Sequence, residues 1–142
     1  MLGGGIYRIK QNKIMLWLSS EKIPYPNGLS WHDGKLYVAS WGKGMNADFT
    51  TQTLGGIYHI DEENPEAGLT ETVSALGNLD GIAWIDDRLY VSDWITGVLY
   101  KIDHGVREPV LTLAPGLADI GSEGRLLFTP MMHQGEVTAW RL

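Results

Sequence analysis

A long phrase occurs twice in this chain. Residues 78–94 read NLDGIAWIDDRLYVSDW, and residues 26–41 read PNGLSWHDGKLYVASW. Only 10% of the residues are aromatic, so several aromatic matches at one constant offset are hard to obtain by chance. A repeat of this kind constrains the fold more than composition does. The aligned pairs are Asn27 with Asp80, Gly28 with Gly81, Trp31 with Trp84, Leu36 with Leu89, Tyr37 with Tyr90, and Trp41 with Trp94.

A second recurring phrase separates the copies of the first. It alternates apolar and polar residues, a period of two that predicts strands with one buried face. Another apolar segment follows three of these copies and predicts one more strand each time. The copies of the phrase are GGIYRIK at 4–10, GGIYHID at 55–61, GVLYKID at 97–103 and GEVTAWRL at 135–142, and the following segments are 14–19, 69–74 and 108–113.

The repeat unit therefore has four antiparallel strands, which we call a, b, c and d. The first phrase supplies strands a and b, which meet at the turn signals HDG and DD. Four-stranded units in tandem predict an all-β fold of β-propeller blades, with about three blades present. The expected parts are strands c and d in 1–19, full blades in 26–74 and 79–113, and a partial last blade in 117–142.

An arc of about three blades leaves both end blades with unpaired strand edges. We expect either that two copies close a ring or that the chain is a piece of a longer protein, and the start on a c strand favours the second. The formal net charge of −6 and the lack of a Lys and Arg cluster argue against nucleic acid. No apolar run is long enough for a membrane span, and no signal peptide opens the chain, although a longer parent could be periplasmic or secreted.

Strand a begins and strand b ends at the same edge of a blade, so their residues share one face. Asn27, Asp80, Trp41, Asp93 and Trp94 lie at these positions, and His133 falls in the third b-to-c turn. Asx-Gly is also common turn chemistry. Taken together, however, an amide and a carboxylate on converging inner strands are hard oxygen donors that suit Ca²⁺ or Mg²⁺.

The first b-to-c connection, residues 42–54, is long where its counterpart is short. An insertion in one connection of a repeat is either an elaboration of the binding face or a tolerated surface loop. Trp41 and Trp94 are candidates to floor a substrate pocket, and His133 is a candidate ligand contact.

The phrases PNGLSWHDGKLYVAS and LDGIAWIDDRLYVSDW resemble the regucalcin/gluconolactonase family of six-bladed propellers. The closing segment, residues 117–142, resembles the final blade of bacterial relatives of that family. The resemblance covers nearly the whole chain as the C-terminal half of such a ring. It implies a divalent cation, with Ca²⁺ preferred, held in the channel by a glutamate, asparagines and an aspartate.

By matching motif, the resemblance puts Asn27 and Asp80 on metal ligands and makes Asp80 the general base of lactone hydrolysis. The family's glutamate belongs to an early blade outside this chain, so we expect activity only in the completed propeller. Asp119 stands in the third repeat, LAD in place of Asx-Gly, and is either a displaced polar group of the channel or a turn residue.

Two functions follow. The first is a metal-dependent hydrolase of a lactone or similar small ester, with Trp41, Asp93, Trp94, Asp119 and His133 as candidate substrate contacts. The alternative is a non-catalytic propeller that binds a small ligand or protein partner on the same face.

Overall fold

The computed structural model describes residues 5–19, 22–64 and 67–142, and these residues form fourteen strands and no α-helix. None of them therefore belongs to a helix that could span a membrane. Residues 1–4 and 65–66, which the sequence assigns to the first two predicted blades, lie outside the described residues. The strands are β1 (Gly5–Lys10), β2 (Lys13–Ser19), β3 (Pro26–His32), β4 (Lys35–Ser40), β5 (Gly42–Met45), β6 (Thr51–Asp61), β7 (Thr70–Gly77), β8 (Leu79–Ile85), β9 (Arg88–Asp93), β10 (Val98–Asp103), β11 (Val106–Thr112), β12 (Gly121–Glu123), β13 (Leu126–Met131) and β14 (Glu136–Arg141).

The strands form four successive antiparallel sheets, which we number as blades one to four. Blade one contains β1 and β2, and blade three contains β8, β9, β10 and β11 in order. Blade two contains β3, β4, β6 and β7, and blade four contains β12, β13 and β14. The prediction of an all-β fold of antiparallel blades is confirmed. The strand that we did not predict is β5, which pairs with the first part of β6 and makes the long insertion a hairpin.

The turn between strands a and b is tight because its residues adopt left-handed backbone conformations. Asp33 and Gly34 have φ of 46° and 71°, and Asp86 and Asp87 have φ of 48° and 58°. Two consecutive residues with positive φ match a hairpin turn whose twist suits the flanking strands, and Asp, Asn and Gly tolerate it best. The signals HDG and DD thus set the register of both hairpins.

Blades two and three bury residues on both faces because successive side chains of a strand point in opposite directions. In β8, Ile82 packs toward blade two whereas Ala83 packs toward blade four. In β9, Val91 packs toward blade two and Tyr90 packs toward blade four. Three apolar layers result, one between each pair of neighbouring blades.

The glycines of the Asx-Gly pairs let neighbouring inner strands approach closely. A Cβ at Gly28 would lie 2.2 Å from the carbonyl oxygen of Asp80, and a Cβ at Gly81 would lie 2.1 Å from the backbone nitrogen of Ile120. Any side chain at these two positions would therefore collide with the next blade. The close approach brings Asn27, Asp80 and the segment around Asp119 together.

Candidate functional site

The candidate site lies where strand a begins and strand b ends in blades two, three and four. One backbone hydrogen bond recurs there in all three blades, from the residue after strand b to a residue just before strand a. Trp41 N–H donates to the Tyr25 carbonyl at 2.9 Å, and Trp94 N–H donates to the Asn78 carbonyl at 3.1 Å. The third copy joins Met132 N–H to the Gly116 carbonyl at 2.8 Å. This shared geometry places Trp41, Trp94 and Met132 at equivalent positions.

A cavity of about 460 Å³ opens at this edge. It brings together five of the candidate site residues and two further residues. The five are Asn27, Trp41, Asp80, Trp94 and His133, and the two are Phe49 and Met132. Cavities of about 300 to 1,000 Å³ are typical of small-molecule sites.

Asp80 is the half-buried acid of this cavity. Burial raises the pKa of its carboxyl group, and the negative charge of Asp119 raises it further. A hydrogen bond from the Asn27 side chain acts in the opposite direction on the pKa of Asp80. The amide nitrogen of Asn27 also lies 3.5 Å from the Leu79 carbonyl oxygen, so its donor side faces blade three. That orientation leaves the amide oxygen of Asn27 available as an acceptor.

Asp119 takes the register position that glycine holds in the other two copies. Leu79 pairs with Asp93 and Leu117 pairs with Met131, so Asp119 corresponds to Gly81. Desolvation raises the pKa of its carboxyl group, and its charge acts on Asp80. Asp119 does not line the cavity but stands beside it. Of the two interpretations that the sequence left open, the displaced polar group agrees with this location.

Asp93 has a structural location rather than one on the cavity wall. Its side chain is almost fully buried at 3% exposure, and its Oδ1 accepts hydrogen bonds from the backbone N–H groups of Ile95 and Thr96 at 3.1 and 3.2 Å. Burial raises the pKa of the Asp93 carboxyl group, which these backbone hydrogen bonds partly offset. We therefore correct the expectation of a substrate contact: Asp93 organises the turn after β9, because the amides of that turn need an acceptor.

Aromatic rings form one wall of the cavity. The ring centroids of Trp41 and Trp94 lie 5.8 Å apart, and those of Trp94 and His133 lie 5.0 Å apart with an interplanar angle of 66°. Phe49 meets Trp94 edge-on at 6.4 Å. The His133 ring packs over Gly116, where a Cβ would lie 2.5 Å from its Cδ2 atom. Edge-to-face contacts, as between Trp94 and both His133 and Phe49, are among the arrangements that aromatic pairs prefer.

Sequence reasoning missed Phe49 and Asn78. Phe49 lies in the insertion, and the signal that could have found it was the length of that connection. Asn78 precedes strand a of blade three and is buried, with its amide donating to the Trp41 carbonyl at 2.9 Å and to Thr51 Oγ1 at 2.8 Å. No local motif marks such a bridge between two blades. Asn78 thus ties the insertion to the cavity wall.

The donor set for a cation in this chain is partial. Within residues 5–19, 22–64 and 67–142, no three His, Cys, Asp or Glu side chains form a group that could hold a metal. The cavity offers the Asp80 carboxylate and the Asn27 amide oxygen, with Asp119 nearby. These are hard oxygen donors of the kind that Ca²⁺ binds. Because Ca²⁺ takes about six to eight oxygen ligands, these residues fit part of such a site.

Neither the scan against protein-family models nor the search of curated proteins finds a match for this chain. Among solved structures, a chain of a nidogen/laminin complex is similar with a TM-score of 0.71 at 17% identity over 92% of this chain and 48% of that chain. A gluconolactonase from Xanthomonas campestris is similar with a TM-score of 0.64 at 16% identity, covering 95% of this chain and 54% of that one. Virginiamycin B lyase from Staphylococcus aureus gives a TM-score of 0.52 at 14% identity over 96% and 62% of the two chains.

This chain thus spans about half to three fifths of the length of these three structures. At such low identity the likenesses show the fold alone. They agree with the successive antiparallel sheets and with the apolar layers between them. The chain folds as part of a β-propeller.

Proposed function

We propose that this protein is a metal-dependent hydrolase of a lactone or similar small ester, active in the completed propeller. The observation that carries the proposal is the placement of the Asp80 carboxylate and the Asn27 amide in one cavity with Trp41, Trp94 and His133. A scaffold without chemistry has no need for a desolvated carboxylate beside a second one. The fold similarity to a gluconolactonase supports the same class of reaction.

Asn27 and Asp80 would hold the cation, with Ca²⁺ preferred, and the remaining ligands would come from the rest of the ring. Asp80 and Asp119 repel each other in a desolvated setting. Positive charge between them would relieve that repulsion. A bound divalent cation would polarise the acyl carbonyl as a Lewis acid.

Asp80 would also manage the proton. Its carboxylate has two oxygens, so one can serve as a ligand while the other accepts a proton from the attacking water. The hydroxyl group then bonds to the acyl carbon, the bond from that carbon to the ring oxygen breaks, and the proton passes to the ring oxygen. The product is a hydroxy acid, with one water consumed.

The test uses the completed propeller and measures divalent-cation binding by titration calorimetry and hydrolysis of glucono-δ-lactone and dihydrocoumarin. Asp80→Asn keeps the side-chain shape and removes the charge, so we expect it to lower kcat/KM by at least about 100-fold and to weaken Ca²⁺ binding. Asp33→Asn removes a carboxylate from the opposite strand ends and serves as the matched control. If the protein binds no cation, or if Asp80→Asn hydrolyses both lactones as fast as the parent, a ligand-binding propeller replaces this proposal.

A further inference from the structure

The insertion between strands b and c of blade two is a hydrogen-bonded hairpin, and its tip carries an aromatic ring. At the tip, Asn46 N–H donates to the Thr50 carbonyl at 2.8 Å and Phe49 N–H donates to the Asn46 carbonyl at 3.1 Å. Asp48 accepts from both the backbone and the hydroxyl of Thr50, at 3.1 and 2.6 Å. These hydrogen bonds hold the pKa of Asp48 below its ordinary value. The tip is therefore ordered by its own polar groups.

The tip is also tied to the cavity wall. The indole N–H of Trp41 donates to the Phe49 carbonyl at 2.8 Å. The Asn78 amide donates both to the Trp41 carbonyl and to Thr51 Oγ1, and Thr51 pairs with Met45 next to the tip. Phe49 adopts a left-handed backbone conformation with φ of 68°. Its side chain is 57% exposed although it lines the cavity. An apolar ring held in place and left exposed is available to a ligand.

Phe49 lies between two cavities. The second has a volume of about 740 Å³ and shares Asn27, Trp41 and Phe49 with the first. Met45 of the same hairpin and Tyr25 also line it. The space beside Asp80 therefore continues along the hairpin as an apolar groove.

The lining of the cavity contains few polar groups. Its polar side chains are Asn27, Asp80 and His133, whereas the other four are aromatic or Met. A sugar lactone carries hydroxyl groups on most ring carbons, and each buried hydroxyl without a partner is unfavourable. A flat apolar group would instead gain contact with Phe49, Trp41 and Trp94.

We propose that the cavity selects a lactone or ester that bears a flat apolar group, and that Phe49 determines this preference. The inference rests on the proposed hydrolase, because it takes Asp80 as the reacting end of the cavity. The aromatic group would lie against the Phe49 and Trp94 rings while the carbonyl faces Asp80 and Asn27. The hairpin of residues 42–54 then acts as a specificity element of the binding face.

The experiment measures binding of β-tetralone, a ketone that has the shape of dihydrocoumarin but no ester bond, by titration calorimetry. D-glucose is the polar ring of comparable size. We expect β-tetralone to bind at least about tenfold more tightly than D-glucose and Phe49→Ala to weaken it about five- to tenfold. Phe49→Leu, which keeps apolar volume but no flat ring, should fall between. Leu54→Ala truncates an exposed apolar residue of the same hairpin outside both cavities and should change nothing.

Two results would overturn the inference: D-glucose binding as tightly as β-tetralone, or Phe49→Ala behaving like Leu54→Ala. Circular dichroism identifies any variant that fails to fold. If Phe49→Ala does not fold, the affinity of Phe49→Leu for β-tetralone decides the question. Because β-tetralone is not hydrolysed, binding that depends on Phe49 without turnover of dihydrocoumarin would reject the hydrolase and leave the apolar site intact. Turnover of glucono-δ-lactone in preference to dihydrocoumarin would reject the apolar preference and leave the proposed hydrolase intact.

Discussion

Strands β3 and β8 begin blades two and three with the same phrase, yet their surroundings differ. Leu29 and Trp31 of β3 are 49% and 50% exposed, whereas Ile82, at the repeat position of Leu29, is 4% exposed. Trp84 holds the position of Trp31 and is covered by His32, which stacks on it at 3.8 Å, and by Tyr37 at 4.8 Å. The repeat thus sets where a side chain points, and the preceding blade decides whether it is buried.

The covering residues identify what β3 lacks. His32 and Tyr37 belong to strands a and b of blade two, so these two strands cover the inner strand of blade three. In the part of blade one that the structure describes, β1 and β2 are strands c and d. Their pairing matches that of β10 and β11, including a bulge at the corresponding position. Within the described residues, no a–b hairpin lies against Leu29 and Trp31 as the hairpin of blade two lies against β8.

The largest expected effect is the difference in stability between two truncations at one repeat position. Ile82→Ala removes buried volume from the layer between blades two and three and should lower the free energy of unfolding by about 2 to 5 kcal/mol. Leu29→Ala should cost less than about 1 kcal/mol, because about half of that side chain is already in water. Urea unfolding of both variants measures the difference.

Equal losses for the two variants would contradict the comparison, since they would mean that Leu29 is buried in the protein in solution. If Leu29→Ala lowers the free energy of unfolding only at high protein concentration, a second chain covers β3.

We propose that the open flank pairs with further a and b strands, from a second copy or from a longer protein. The 142-residue chain should then self-associate at micromolar concentration, and Trp31→Gln should weaken association about tenfold. Sedimentation velocity measures both, and Val106→Gln, at an exposed position of β11 in the interior blade three, is the control. A stable monomer of 15.7 kDa at this concentration would show that the flank needs no cover.

Much of the fold could be predicted because the period of two, the turn signals and the repeat all agree. The exposure of Trp31 could not, since both copies of the phrase contain the same Trp and burial depends on a neighbouring blade. Strand β5 was missed for a related reason. The insertion has no counterpart in the other blades, so nothing in the repeat predicts its pairing with β6.

The candidate site was likewise predicted only in part. Asn27, Asp80, Trp41 and Trp94 were found because each recurs at a fixed place in the phrase. Asp93 also ends a strand, yet its carboxylate turns toward the amides of its own turn, which strand position alone does not reveal. Phe49 and Asn78 reach the site through tertiary contacts between blades, which local sequence cannot specify.

A smaller effect on stability is expected from substitutions of Asp80 and Asn27, the two Asx residues of the repeat, in protein freed of cations. The raised pKa of Asp80 favours the folded state when the acid is protonated, so that stability is present below about pH 3.9 and is lost as pH rises through the raised value. Asp80→Asn should therefore stabilise the protein at pH 7 by up to about 1 kcal/mol after solvent screening, with no gain near pH 3.5. Asn27→Asp adds a second carboxylate beside Asp80 and should do the opposite.

Urea unfolding at both pH values, in the presence of a chelator, measures these changes. A gain for Asp80→Asn that is the same at pH 3.5 and pH 7 would mean that the charge of Asp80 is not its source.

The most direct test of the central proposal, that Asp80 and Asn27 hold a cation, is the stability of the completed propeller, as parent and as Asp80→Asn, with and without Ca²⁺. Without Ca²⁺ the variant should be the more stable protein at pH 7. At a Ca²⁺ concentration about 100 times the Kd, the parent should gain about 2.7 kcal/mol and the order should reverse. A parent that gains nothing from Ca²⁺, or a variant that gains as much as the parent, would contradict the account.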